Sequence, residues 1–213
     1  MNLQTFRIPI SFQALKVILY IIVTLGFLFC LEDSIRYGNF SWKSAGNDIG
    51  YLVWILLIYT IFISLFVKLF PKIFLFRQLF TLRKQTGLVA FAFLFFHLVF
   101  QLFYFQVLGN IHEAVIFSLE DNWSLTIGTL SLILMIPLAI TSTQWAMRKM
   151  GKYWVSLHKI THVVFVLAGL HIAFVKFLLQ DGQLNWDALV ILGLYGLGYG
   201  FLFWKKVFMH QEM

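Results

Sequence analysis

The stretch Trp154-Val155-Ser156-Leu157-His158-Lys159-Ile160-Thr161-His162-Val163-Val164-Phe165-Val166-Leu167-Ala168-Gly169-Leu170-His171-Ile172-Ala173-Phe174-Val175-Lys176-Phe177-Leu178 is long and apolar enough to cross a bilayer, yet it carries His158 and His171 thirteen residues apart. An ionisable side chain is costly in hydrocarbon, so an intramembrane histidine marks a functional site by default. A third, His97, lies in Phe93-Leu94-Phe95-Phe96-His97-Leu98-Val99-Phe100. Neutral imidazole is an axial ligand of haem iron. Thirteen helical residues rise roughly 20 Å, most of a hydrocarbon core of about 30 Å. Histidines at two depths predict redox centres at two depths, a route for electrons across a membrane.

The rest of the chain supports an integral membrane protein. It has 213 residues, 61% hydrophobic and only 12% charged, against about 25% charged in a soluble domain. The net charge of +7 sits in short clusters between apolar segments. That pattern sets topology and meets anionic lipid; it does not form a nucleic-acid surface. The single cysteine, Cys30, excludes an intrachain disulfide and a Cys-ligated iron–sulfur cluster, and is expected to pack. Arg7 and Lys16 precede the first apolar run without a small-residue cleavage site, so that run is expected to be a retained helix.

Six apolar segments approach or reach spanning length: Leu15 to Leu31, Tyr51 to Phe70, Leu88 to Leu108, Leu125 to Thr141, Trp154 to Leu178 and Ala188 to Trp204. The fourth contains Pro137, which a bundled helix tolerates as a kink. Lys68, Lys72, Arg77, Arg83 and Lys84 join segments two and three; Arg148, Lys149 and Lys152 join four and five; Lys205 and Lys206 follow six. The three-to-four loop holds Glu113, Glu120 and Asp121 without Lys or Arg, and the five-to-six loop is Gln180-Asp181-Gly182-Gln183. Only the first loop is mixed, with Glu32, Asp33, Arg36, Lys43 and Asp48. The expected fold is an all-α, six-transmembrane-helix bundle with both termini cytoplasmic: an N-terminal segment 1–14, a membrane domain 15–206 and a tail 207–213. Trp42, Trp123, Trp145, Trp154, Trp186 and Trp204 stand near segment ends, as an aromatic belt should. Gly196 and Gly200 form a GxxxG pair, expected to let helix six pack closely. No GxGxxG or Walker motif is present, so an NAD(P)H-oxidising module is expected on another chain.

The histidines are not equivalent. His97 has no nearby carboxylate in sequence. His158 follows the basic connection and belongs to the cytoplasmic half; His171 lies deeper, toward the outer side. His162 is one turn beyond His158 and serves as an alternative ligand, a partner to a haem propionate or a packing residue. An i, i+4 His pair also suits zinc, but the HExxH glutamate is absent. His112 and His210, in a loop and a tail, are expected to be solvated. Thirteen residues turn the helix to a face about 140° away. Either helix five is distorted, with Gly169 the suggested position, or haems sit on different sides of it.

Thr141-Ser142-Thr143-Gln144-Trp145-Ala146-Met147-Arg148-Lys149-Met150-Gly151-Lys152-Tyr153-Trp154-Val155-Ser156-Leu157-His158 reads as TS, a gap, R-x-x-G-x-x-W-x-x-LH, then a helix with a second histidine. This resembles the ferric-reductase-like transmembrane family, and within it the haem-binding membrane subunits of periplasmic methionine sulfoxide reductase systems. Arg83 to Gly87 followed by His97 resembles the family's third-helix pattern, and the similarity runs from about Asp48 to Lys206. The resemblance implies haem b, one or two, held non-covalently by His97, His158 and His171, with FMN as a possible further cofactor. It implies electrons received at the cytoplasmic side from a flavin reductase or the quinol pool. They would pass outward to a periplasmic molybdopterin subunit that reduces methionine sulfoxide. Relatives such as the NADPH oxidases place two histidines on each of two helices; this chain has one on helix three. His162 stands where relatives often have tyrosine.

Under this reading electrons enter near His158, His171 carries the outer haem, and His97 serves the haem that matches its depth. Arg83, Arg148, Lys149 and Lys152 are candidates for haem propionates or a flavin phosphate, besides fixing topology. No residue is expected to do acid–base chemistry, because a haem carries the electron. Two rival readings are ferric or quinone reduction without the partner subunit, and a haem-free transporter or structural subunit. Pumps usually carry Asp or Glu within their spans, and none is expected deep in these six.

Overall fold

The computed structural model describes residues 11–35, 40–104, 123–177 and 182–209. His112, Glu113, Glu120 and Asp121 of the three-to-four loop, and His210 of the tail, lie outside the described residues. The described residues form helices without strands: α1 Phe12–Ile35, α2 Trp42–Leu69, α3 Phe74–Phe80, α4 Arg83–Tyr104, α5 Trp123–Ile140, α6 Gln144–Met150, α7 Lys152–His158, α8 Ile160–Lys176 and α9 Trp186–Met209. Six helical stretches, with α7 and α8 counted as one, are long and apolar enough to cross a membrane.

α2 is the central helix. It packs along α4 and touches α1, α8 and α9. Val53, Trp54, Leu57 and Ile61 from α2 meet Val164, Phe165 and Ala173 from α8 in the core. The buried hydroxyls of Thr60, Ser64 and Thr86 bond to the carbonyls of Leu56, Thr60 and Leu82 at 2.8, 2.9 and 3.0 Å. Each is satisfied within a helical turn, as a low-dielectric setting requires. On α1 the buried residues Leu15, Val23, Cys30 and Ser34 follow one helical face, so Cys30 packs inward. α9 is peripheral and presents Leu197 and Phe203 outward.

α2 starts nine residues before the apolar run Tyr51 to Phe70. Ser41 caps it, accepting from the Ser44 amide at 3.2 Å. Lys43, Asn47 and Asp48, read from hydropathy as loop, are therefore helical. Asp48 is an acidic residue of α2, but it lies in the polar first two turns, ahead of the apolar run. The two-to-three connection contains α3, tied to α2 by the Tyr59 hydroxyl donating to the Leu79 carbonyl at 2.6 Å.

The fifth segment does contain a break, but not at Gly169. α7 ends at His158 and α8 begins at Ile160. Lys159 donates to the Ser156 carbonyl at 3.2 Å and His162 to the Lys159 carbonyl at 3.0 Å, a three-residue ladder that tightens the turn. Gly169 is a packing glycine: a Cβ there would lie 2.8 Å from Leu192 and 2.9 Å from Trp54.

The close contact of α9 is made by Gly198, between the glycines of the expected GxxxG pair. A Cβ at Gly198 would come 2.5 Å from Leu65, which is buried, whereas Gly196 and Gly200 face open space. Gly198→Ala is expected to destabilise by about 1–3 kcal/mol through overpacking, and Gly196→Ala and Gly200→Ala to cause no loss. Thermal unfolding in detergent checks the ranking.

Candidate functional site

α2 can approach α4 because it offers glycine where α4 offers a ring and an amide. A Cβ at Gly50 would lie 2.9 Å from Cε1 and Nδ1 of His97; one at Gly46 would lie 2.9 Å from Nε2 of Gln101. The two glycines are one turn apart, the small-xxx-small spacing of close membrane helices. Beside them, the Gly46 carbonyl lies 2.7 Å from His97 Nδ1. A carbonyl only accepts, so Nδ1 donates its hydrogen and Nε2 keeps the lone pair.

α5 holds His171 of α8 in the same manner. His171 Nδ1 donates to the Ser124 carbonyl at 2.8 Å, and the Ser124 hydroxyl donates to the His171 carbonyl at 3.2 Å. Gly128, four residues along, would place a Cβ 2.8 Å from His171 Nδ1. Both imidazoles are thus oriented by a helix carbonyl and backed by a glycine. An Nδ1–H bonded to a carbonyl, with Nε2 left as the donor atom, is the usual arrangement of a metal-ligating histidine.

The His97 and His171 rings lie 6.5 Å apart, centre to centre, at 76°. They line one cavity of about 350 Å³ between α2, α4, α5 and α8, within the range of small-molecule sites. Its walls include Trp54, Leu57, Leu94, Leu125, Ile172 and Val175. Among the described residues no three of His, Cys, Asp or Glu come together as a metal site. Two imidazoles do not complete a tetrahedral zinc centre. They suit an ion that brings its remaining ligands with it, as haem iron does. An ion bound between two imidazoles at about 2 Å from each nitrogen would hold the ring centres about 6 Å apart. The donor set, the ring spacing and the apolar walls fit a haem.

The other histidines lie at the opposite, basic end. The TS–R–G–W–LH motif folds there into a knot. Thr143 caps α6, accepting from the Ala146 amide at 3.1 Å. Gly151 takes φ 52°, a left-handed value that favours glycine, and redirects the chain into α7. The indole of Trp154 donates to the Thr141 carbonyl at 2.9 Å, and His158 stacks on Trp154 with ring centres 4.1 Å apart. His158 Nε2 lies 3.2 Å from the Thr141 hydroxyl. His162 Nδ1 lies 3.2 Å from the Tyr195 hydroxyl. Arg83 starts α4 at this same end of the bundle. Arg148 is exposed on α6. The Tyr199 hydroxyl and Gln85 Oε1 are buried without hydrogen-bond partners among the described residues.

An aromatic column joins the two ends. Trp54 stacks on Phe165 at 4.8 Å, Phe165 meets Tyr195 at 5.2 Å, and Tyr195 reaches His162.

The family model described as "ferric reductase like transmembrane component" matches residues 49–169, more than half of the chain. The chain belongs to this family. Curated relatives include the "protein-methionine-sulfoxide reductase heme-binding subunit MsrQ" of Brucella anthropi, 37% identical over 89 residues, or 42% of this chain and 40% of the relative. The proteins of the same name from Brucella ovis and Brucella canis are 35% identical over the same shares. The matched stretch thus spans less than half the length of these relatives.

The structure therefore brings His97 and His171 together and sets His158, His162 and Arg83 at the other end. The sequence reading had left open which histidine His97 would join. It overlooked Gly46, Gly50, Ser124 and Gly128, which orient the pair. The available signal was the repeated small-xxx-small spacing, Gly46 with Gly50 and Ser124 with Gly128, in two apolar helices.

Proposed function

We propose that this chain is a haem b electron-transfer subunit of a bacterial inner membrane, with the His97–His171 pair as its outer centre. The observation that carries this reading is the pair itself: two imidazoles on facing helices, each with Nδ1 tied to a carbonyl, sharing one apolar cavity. When bound, the haem supplies one-electron chemistry; this chain supplies ligands, burial and orientation.

Both termini are assigned to the cytoplasm, because Lys68, Arg83, Lys149, Lys152 and Lys205 cluster at one end of the bundle. That end receives electrons from a flavin reductase or quinol. Arg83, at the start of α4 and at the same end of the bundle as His158 and His162, is the counter-charge for a propionate, and exposed Arg148 offers a cation to the phosphate of FMN. α4 contributes one histidine, already placed at the other end, so a second haem here would have one histidine ligand. His158 is the leading candidate, and His162, with Nδ1 engaged by Tyr195, is the alternative. The column Trp54–Phe165–Tyr195 fills the space between the ends with polarizable side chains. At the outer face the acceptor is a periplasmic molybdopterin subunit. It reduces a protein methionine sulfoxide to the thioether and water, with two electrons delivered singly and two protons.

Purified protein in mild detergent tests this reading through oxidised and dithionite-reduced spectra, with haem counted by pyridine haemochrome. Sharp reduced b-type bands at one or two haems per chain are expected. A colourless, folded preparation from haem-replete cells would overturn the proposal and favour a haem-free transporter or structural subunit.

A further inference from the structure

The cavity that holds the histidine pair is apolar in its depth but polar along one rim. Lys43 and Asn47 on α2 and Gln101 on α4 line it there, together with Asp48. Lys43, Asn47, Gly50 and Trp54 follow one face of α2, at steps of four, three and four residues. Gly50 backs His97, and Lys43 lies seven residues away, about 10 Å along the helix axis. Gln101 is one turn beyond His97. Its amide donates to Asn47 Oδ1 at 3.2 Å, which joins the α2 and α4 sides of the rim.

Among the described residues lining this cavity, Lys43 is the one cation. Its ammonium lies 5.7 Å from the centre of the Tyr104 ring. Asp48 takes the Ser44 hydroxyl at 3.4 Å. A haem is an apolar disc with two carboxylates on one edge. Inside a low-dielectric cavity those carboxylates need a cation or hydrogen-bond donors.

We propose that this rim is the propionate site of the outer haem. Lys43 supplies the charge, the Asn47 and Gln101 amides supply donors, and Asp48 supplies a like charge that limits affinity. The inference rests on the haem reading and adds to it the edge-on orientation of the group. It also gives a role to residues that hydropathy assigns to a loop.

The test measures haem loss to excess apomyoglobin from detergent-solubilised protein, at low salt, for wild type, Lys43→Arg, Lys43→Glu and Asp48→Asn. Lys43→Glu is expected to lose haem about tenfold faster, Lys43→Arg at the wild-type rate, and Asp48→Asn more slowly. In unmutated protein reconstituted with haem dimethyl ester, loss is expected to be faster than for haem. With the ester, Lys43→Glu is expected to match wild type. The comparison of haem with its ester in unmutated protein does not depend on how well a variant folds. Equal loss rates for haem and its ester in wild type, with no effect of charge at position 43, would overturn the propionate assignment while leaving the His97–His171 site standing. Absence of haem from wild type would instead overturn the underlying reading.

Discussion

His97→Ala and His171→Ala are each expected to remove the same haem. The two rings share one cavity at 6.5 Å, and no other described histidine lines it, so loss of either would leave a haem iron held there, as proposed, with one protein ligand. Altering only the partners of a ligand typically costs 10–100-fold in metal affinity; losing the ligand itself is expected to cost at least about 100-fold. In reduced spectra both variants should lack the same low-spin component. His158→Ala should keep it, because His158 sits in the Thr141–Trp154 knot at the other end. A component lost in His97→Ala and His158→Ala but kept in His171→Ala would reassign the pairing.

Gly50→Ala and Gly128→Ala are expected to reproduce much of that loss without touching a ligand. The new methyl would lie 2.9 Å from the His97 ring or 2.8 Å from the His171 ring. Moving either ring away from the new methyl also pulls Nδ1 from its carbonyl, because Gly46 lies on the same helix as Gly50 and Ser124 on the same helix as Gly128. Displacement breaks that bond and swings Nε2 from its position. Haem affinity is expected to fall about 10–100-fold, the range for lost support of a ligand. Alanine favours helix over glycine by about 1 kcal/mol, so helix formation itself should not suffer. Gly46→Ala differs: its methyl meets the end of Gln101, a longer and more flexible side chain, and not a ligand ring, so the low-spin haem spectrum is expected to persist while support at the polar rim weakens. Titrating haem into the apoproteins, with circular dichroism to confirm helicity, separates these outcomes.

Six spanning helices were legible in the sequence because each needs only a long apolar run, and the structure contains a spanning-length helix at each. The start of α2 was hidden for the same reason. Its first two turns are polar, and they belong to the helix because Ser41 caps it and because Asn47 and Gln101 meet across α2 and α4. The cap was readable; the partner for a polar turn was not. Helical geometry required a distortion in the fifth segment or haems on two of its sides. The tightened turn at Lys159, not Gly169, is where the helix breaks.

The sequence by itself determined the all-helical membrane fold, the short list of histidines and the basic clusters, since hydropathy and side-chain chemistry are local properties. Only the tertiary structure decided that His97 joins His171 and not His158. That choice depends on which helices can approach closely: Gly50 and Gly128 admit two rings, Gly46 and Ser124 present carbonyls to orient them, and Leu65 fits against Gly198. Contacts of this kind join residues 47 or 51 positions apart in sequence, so local pattern does not reveal them.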